Sequence, residues 1–173
     1  HFVAGITVAV KKDSGINSLA DLTGKTVATV AGSTSIQLLR AYKRAENVEV
    51  QEITGKDTAD AFLLLASGRA VAYVLDDVQL AGLIATSPRP GDFRMLHDVV
   101  LRQEPYGIMY RKNDPAFQAV VDDTVIQLMK SGEIERLYAR WFTQPIPPSN
   151  INLNFPMTEG IREAYRNPSK KGV

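Results

Sequence analysis

Alternation is the strongest constraint on how this chain can fold. From residue 2 to residue 99, runs rich in β-branched and apolar side chains take turns with stretches of helical spacing. Residues 2–10 (FVAGITVAV), 26–30, 48–53, 70–75 (AVAYVL) and 93–99 read as strands. Residues 18–22 read as one helical turn stopped by Gly24, and residues 34–45 and 78–85 read as helices. A further helix is capped by Asp57, can turn Ala61, Leu64, Leu65 and Ala66 to a core, and ends at Gly68. Strands and helices in this order imply an α/β fold, with a largely parallel sheet covered on both faces.

Beyond residue 103 the pattern changes. Residues 106–110 read as a strand ending in Arg111-Lys112, and Asn113-Asp114-Pro115 starts a helix with proline in its first turn. That helix, 116–130, places Phe117, Val120, Val121, Val125, Leu128 and Met129 near helical spacing, and Ser131-Gly132 breaks it. A second helix, 133–142, bears Ile134, Leu137, Tyr138, Trp141 and Phe142. Pro145, Pro147 and Pro148 then call for an extended segment, a short helix follows near 159–165, and a polar end closes the chain at 167–173.

The most suggestive local stretch is Lys25-Thr-Val-Ala-Thr-Val-Ala-Gly-Ser-Thr-Ser35. A buried strand runs into a turn at Ala31-Gly32, and Ser33, Thr34 and Ser35 open an amphipathic helix. Such a turn gathers hydroxyls and free N–H groups, and the helix dipole favours an anion there. Taken alone, the same residues are more simply explained by structural capping, with Thr34 or Ser35 as the helix cap, as most such residues are. Asp76 ends another strand and suits an ammonium group; it can also cap the helix that follows, with Asp77 as solvated surface. In open parallel sheets ligands bind at the C-terminal ends of strands. The hydroxyl turn and Asp76 together describe a site for a zwitterion, the head group of an α-amino acid.

Composition removes other classes. Lys+Arg 20 against Asp+Glu 19 leaves a net charge of +1, which supplies no nucleic-acid footprint. The longest apolar run, 59–66, contains Asp60 and is too short to span a membrane. Residues 1–10 lack the basic region and cleavage site of a signal peptide. Cysteine is absent, which removes disulfides, thiol catalysis and cysteine metal sites. The two histidines, His1 and His97, lie far apart, so no metal site and no cofactor are expected. His97 reads as packing at a strand end, Asp122-Asp123 as helix surface, Trp141 and Phe142 as core, and Lys170-Lys171 as tail charge.

Four segments, in this order and spacing, carry a resemblance: GINSLADLTGKTVATVAGSTS, ASGRAVAYVLDD, EPYGIMYRKNDPAF and SGEIERLYARWF. They resemble the periplasmic amino-acid-binding proteins of ABC importers, solute-binding protein family 3. SGRAVAYVLDDVQLAG and TQPIPPSNINLNF are similar to the glutamate/aspartate-binding branch. The resemblance implies a type II periplasmic-binding-protein fold, a two-lobed α/β clamshell closing on its ligand. It assigns residues 5–103 to the second, ligand-binding lobe, and residues 1–4 and 104–173 to hinge strands and the C-terminal part of a first lobe. Most of that first lobe is expected to be missing, so that the chain is a fragment.

By the same resemblance Thr34 holds the ligand α-carboxylate, with Gly32, Ser33 and Ser35 shaping the turn, and Asp76 pairs with the α-ammonium. Thr58 stands where the branch has a histidine near the side-chain carboxylate; threonine offers a hydrogen bond but no charge. The implied partners are a polar amino acid, glutamate or aspartate first, and an inner-membrane ABC permease; the implied location is the periplasm. The fragment itself is expected to bind weakly or undetectably, and to self-associate or domain-swap through the uncovered faces of its C-terminal helices. No enzymatic activity is expected. Two alternatives stand beside this one: a cyclohexadienyl or arogenate-type dehydratase on the same fold, with Asp76 or Glu104 as its acid/base, and a ligand-sensing domain of a membrane receptor.

Overall fold

The computed structural model describes residues 2–169. His1 and Lys170-Lys171 lie outside the described residues, as does the end of the polar tail. The chain divides into two compact units: Gly5–Arg102, and residues 2–4 with 103–169.

In the first unit a single sheet carries helices on both faces. β1 (Phe2–Lys11) leads into it, followed by β2 (Thr26–Val30), α1 (Thr34–Glu46), β3 (Gln51–Gly55), α2 (Thr58–Ala66), β4 (Ala72–Asp76), α3 (Asp77–Thr86) and β5 (Phe93–Met95). The strand order is β3-β2-β4-β1-β5, and β6 (Arg102–Tyr106) also pairs with β1. β2 runs parallel to β3 and β4, which is the parallel core the alternation implies. β1 runs antiparallel to β4 and β5. Strand alternation sorts the core into two layers. Ile6, Val8 and Val10 join Val27, Leu39, Ala72 and Val74 under α1. Ala9, Ala28, Tyr73 and Leu75 join Ala61, Phe62, Leu64 and Leu65 of α2 and Leu80 of α3.

Several element boundaries move. The expected strand at 48–53 is laddered only over Gln51–Gly55, because Val48 and Val50 serve the core as loop plugs rather than as paired backbone. The expected 70–75 strand pairs over Ala72–Asp76, and the extended stretch at 93–99 pairs only over Phe93–Met95. The expected strand at 106–110 is displaced to Arg102–Tyr106; beyond it Ile108 and Met109 are exposed, so their apolar character was not a strand signal.

The second unit is helical: α4 (Pro115–Lys130), α5 (Glu133–Tyr138) and α6 (Glu159–Arg166). Asp114 caps α4 by accepting from the Phe117 N–H at 3.1 Å, and Thr158 caps α6 by accepting from Ile161 at 3.3 Å. α5 widens into a π turn over Ala139–Thr143, so the expected 133–142 helix is not uniform. The proline segment is a turn at 147–150 rather than an extended run, closed by the Asn150 N–H donating to the Ile146 carbonyl at 2.8 Å. Phe2, Tyr106, Tyr138 and Phe142 form an aromatic cluster, with the Tyr138 and Phe142 rings 4.5 Å apart. Trp141 is exposed rather than core, with the Arg140 guanidinium over its ring. Among the described residues no helix is long and apolar enough to cross a membrane.

Candidate functional site

The C-terminal ends of β2, β3 and β4 share one edge of the sheet, and the expected site residues of the first unit sit along it. Val30 pairs with Gly55, and the Ala31 N–H donates to the Gly55 carbonyl at 3.1 Å, so the turns after β2 and β3 adjoin. Ala28 pairs with Tyr73 in the parallel β2–β4 ladder, so the turn that follows β2 and Asp76, the last residue of β4, lie at the same end of two neighbouring strands.

The turn after β2 forms as its sequence dictates. Gly32 has φ 74°, a left-handed value that a side chain would strain. Ser33, not Thr34 or Ser35, is the helix cap. Its Oγ accepts from the Ile36 N–H at 3.4 Å and donates to the Val30 carbonyl at 2.8 Å. The capping role expected of Thr34 or Ser35 is thereby taken, and the two part company: Thr34 is exposed at the edge, while Ser35 is buried beneath the helix.

Asp76 is only 8% exposed, an unusual place for a carboxylate. It occupies the cap position of α3, yet its side chain makes no capping hydrogen bond. Instead, Gln79 Nε2 donates to its Oδ2 at 3.2 Å. The helix start is served by the next residue, whose Oδ1 accepts from the Val78 N–H at 2.7 Å. Asp77 is therefore not the solvated surface expected of it. Burial raises its pKa above 3.8, against hydrogen bonds from the Gly5 and Val78 amides that lower it. Lacking a Cβ, Gly5 leaves room for that carboxylate; an added Cβ would lie 3.2 Å from Asp77 Oδ2.

Thr58 opens α2, in the helix layer opposite α1. Asp57 caps that helix through the Asp60 N–H at 2.8 Å. The half-buried Thr58 receives a hydrogen bond on its carbonyl from the Tyr73 hydroxyl at 3.3 Å. Burial pushes the Tyr73 phenol well above its ordinary pKa, so it remains a donor. α2 reaches this edge only because residue 55 is glycine: a Cβ there would lie 2.3 Å from the Ala61 amide nitrogen. Sequence reasoning missed Tyr73, Gln79 and Gly55. Only Tyr73 gave a signal, as an aromatic with a polar tip inside an apolar strand.

Other expected positions lie elsewhere. His97 is exposed in the turn after β5 rather than packed. Glu104, the second catalytic alternative, belongs to the other unit from Asp76. Among the described residues no cluster of three or more His, Cys, Asp or Glu could hold a metal ion.

The model of the bacterial extracellular solute-binding proteins, family 3, matches residues 1–144, and the chain belongs to this family. It is 41% identical over 172 residues to the L-glutamate/L-aspartate-binding protein of Pseudomonas aeruginosa, covering 99% of this chain and 57% of that protein. To the glutamate/aspartate import solute-binding protein of Salmonella typhimurium it is 38% identical, with the same coverage of 99% and 57%. The chain thus spans a little over half the length of these relatives. Among solved structures, a periplasmic binding protein from Brucella ovis with glutathione bound superposes with a TM-score of 0.71 at 26% identity, over 78% of this chain and 42% of that one. The GluR0 ligand-binding core from Nostoc punctiforme in complex with (L)-glutamate superposes with a TM-score of 0.65 at 29% identity, over 82% and 62%. The fold is that of the type II periplasmic binding proteins, and the relatives' names describe binding proteins, not enzymes.

Proposed function

We propose that this chain serves an amino-acid ABC importer as its solute-binding component, and that residues 5–102 form the lobe that holds the ligand's zwitterionic head. Residues 2–4 and 103–169 are then hinge strand and first-lobe material. The carrying observation is Asp76: buried, at the end of β4, on the strand next to the one that leads into the hydroxyl turn, and making no capping hydrogen bond with its side chain. The first-turn N–H groups and the Thr34 hydroxyl take the α-carboxylate, with Gly32, Ser33 and Ser35 shaping the turn, and Asp76 takes the α-ammonium. Thr58 meets the ligand side chain. Glutamate or aspartate as the ligand is supported by the names of relatives at 37–41% identity. Binding makes and breaks no covalent bond; contacts to two lobes drive closure. The work is done on the extracytoplasmic side, in the periplasm, and the inner-membrane permease is the downstream partner.

One lobe's contacts remain open to water, where charge-assisted hydrogen bonds are worth little. The 173-residue chain therefore binds weakly by itself. Titrating the 15N-labelled chain with L-glutamate to tens of millimolar tests the site. Amide shifts should concentrate at Gly32–Ser35 and Asp76–Gln79, with a millimolar dissociation constant, and Asp76→Ala should abolish the response near β4. Equal response in Asp76→Ala, or no shift at the turn, removes this edge as the site.

A further inference from the structure

Two hydroxyls beneath the first turn of α1 are buried without a protein partner. Thr29 is 0% exposed and Ser35 1%, and neither Thr29 Oγ1 nor Ser35 Oγ has a hydrogen-bond partner among the described residues. Native proteins seldom leave such groups unsatisfied.

Register brings the two together. Val27 of β2 and Leu39 of α1 belong to one core cluster. From Val27 to Thr29 is two residues along the same face of the strand, roughly 6.6 Å. From Leu39 back to Ser35 is one turn along the same helix stripe, about 6 Å. The turn at Ala31-Gly32 reverses the chain, so these steps lead towards the same edge. Thr29 and Ser35 therefore continue, towards that edge, the strand face and helix stripe on which Val27 and Leu39 enter the core, with short hydroxyl side chains in place of large apolar ones. They do not hydrogen-bond to each other, and Ser33 has already taken the cap.

We propose that Thr29 Oγ1 and Ser35 Oγ are the walls of a binding site for a single ordered water, which ties the first turn of α1 to β2. Each hydroxyl can donate and accept, which meets the minimum of two polar partners that a buried water requires. The bridge anchors the Gly32–Ser35 turn to the rigid sheet and so fixes the direction of its N–H groups. It stands independently of whether an amino acid binds there.

The test pairs a crystal structure of the full chain, at a resolution that places waters, with denaturant titration of Thr29→Val, Ser35→Ala and the double variant. Density for a water within about 3 Å of both oxygens is expected. Each single variant should lower the folding equilibrium constant roughly three- to tenfold, and the double no more than the worse single, because the second change removes the group left unsatisfied by the first. If Thr29→Val leaves the constant unchanged or raises it, the hydroxyl was unsatisfied and the proposal fails. Density that is empty between the two oxygens overturns it whatever the variants do.

Discussion

Residues 5–102 and residues 103–169 both consist of amphipathic elements, but they dispose of their apolar faces differently. Both buried clusters lie wholly within 5–102, where helices on each side of a sheet cover its two apolar faces. In 103–169 the long helix α4 buries only Met129 of its 16 residues. Of the eight exposed large apolar side chains among the described residues, six belong here: Ile108, Met109, Phe117, Val120, Leu137 and Trp141. Phe117 and Val120, three residues apart, share one side of α4, and an exposed apolar helix side favours contact with another surface. A sheet between two helix layers can close its own core; a group of helices needs a surface to lie against. The first region carries its cohesion within itself, and the second leaves most of the apolar side of its longest helix exposed or half-buried.

Core substitutions give the largest expected contrast. Leu65→Ala, at a position with 0% exposure in α2, should cost ~2–5 kcal/mol, because the vacated space cannot collapse fully. Phe117→Ala, at a side chain 49% exposed, should cost under ~1 kcal/mol. Denaturant titration of both variants checks this. A Phe117→Ala cost equal to that of Leu65→Ala would mean that the α4 face is covered in solution and that the contrast is false.

The exposed face also predicts association. A second copy of the chain is the nearest cover in a purified sample, so light scattering should give a mass above 19.0 kDa that rises with concentration. Val120→Glu should lower that mass, since Val120 is 61% exposed on α4 and a charge there opposes apolar contact. A constant 19.0 kDa at all concentrations would sink the idea.

Legibility in the sequence followed the same division. In residues 5–102 each strand carries its own alternating or apolar run, so β2 and α2 could be read nearly to the residue. Direction was less readable: nothing in FVAGITVAV says that β1 runs antiparallel to β4, because direction is set by where the chain comes from, not by side-chain period. In 103–169, Gly107-Ile108-Met109-Tyr110 looked like a strand because apolar residues imply burial, yet here Met109 is 97% exposed. At the candidate site, the residue types were readable and their division of labour was not. Ser33, Thr34 and Ser35 are interchangeable as caps in one dimension; only the turn geometry gives the cap to Ser33 and buries Ser35. Gly55 was invisible because its reason is the Ala61 backbone passing close by.

Acidic side chains sharpen the comparison at the smallest scale, through opposite pH dependence. Burial raises the Asp77 pKa above 3.8. Between 3.8 and that higher folded value the native state holds more proton than the unfolded chain, so stability falls as pH rises through the window. The opposite holds at Asp114, where the Arg111 guanidinium at 2.8 Å, and then the Phe117 N–H, keep the carboxyl below 3.8. Its contribution is fully present above 3.8 and is lost as pH falls towards the folded value. Asparagine preserves the shape and an acceptor at both positions and removes the charge. Relative to the parent, Asp77→Asn should therefore gain stability as pH rises above 3.8, whereas Asp114→Asn should lose ground over the climb to 3.8. Trp141, the chain's one tryptophan, reports on residues 103–169 by fluorescence, and far-UV circular dichroism follows the whole chain. Unfolding curves from pH 3 to 6 should place the Asp114→Asn effect in the tryptophan signal. Effects of the same sign for both variants would mean that the Asp77 carboxylate is better satisfied by the Gly5 and Val78 amides than its burial allows.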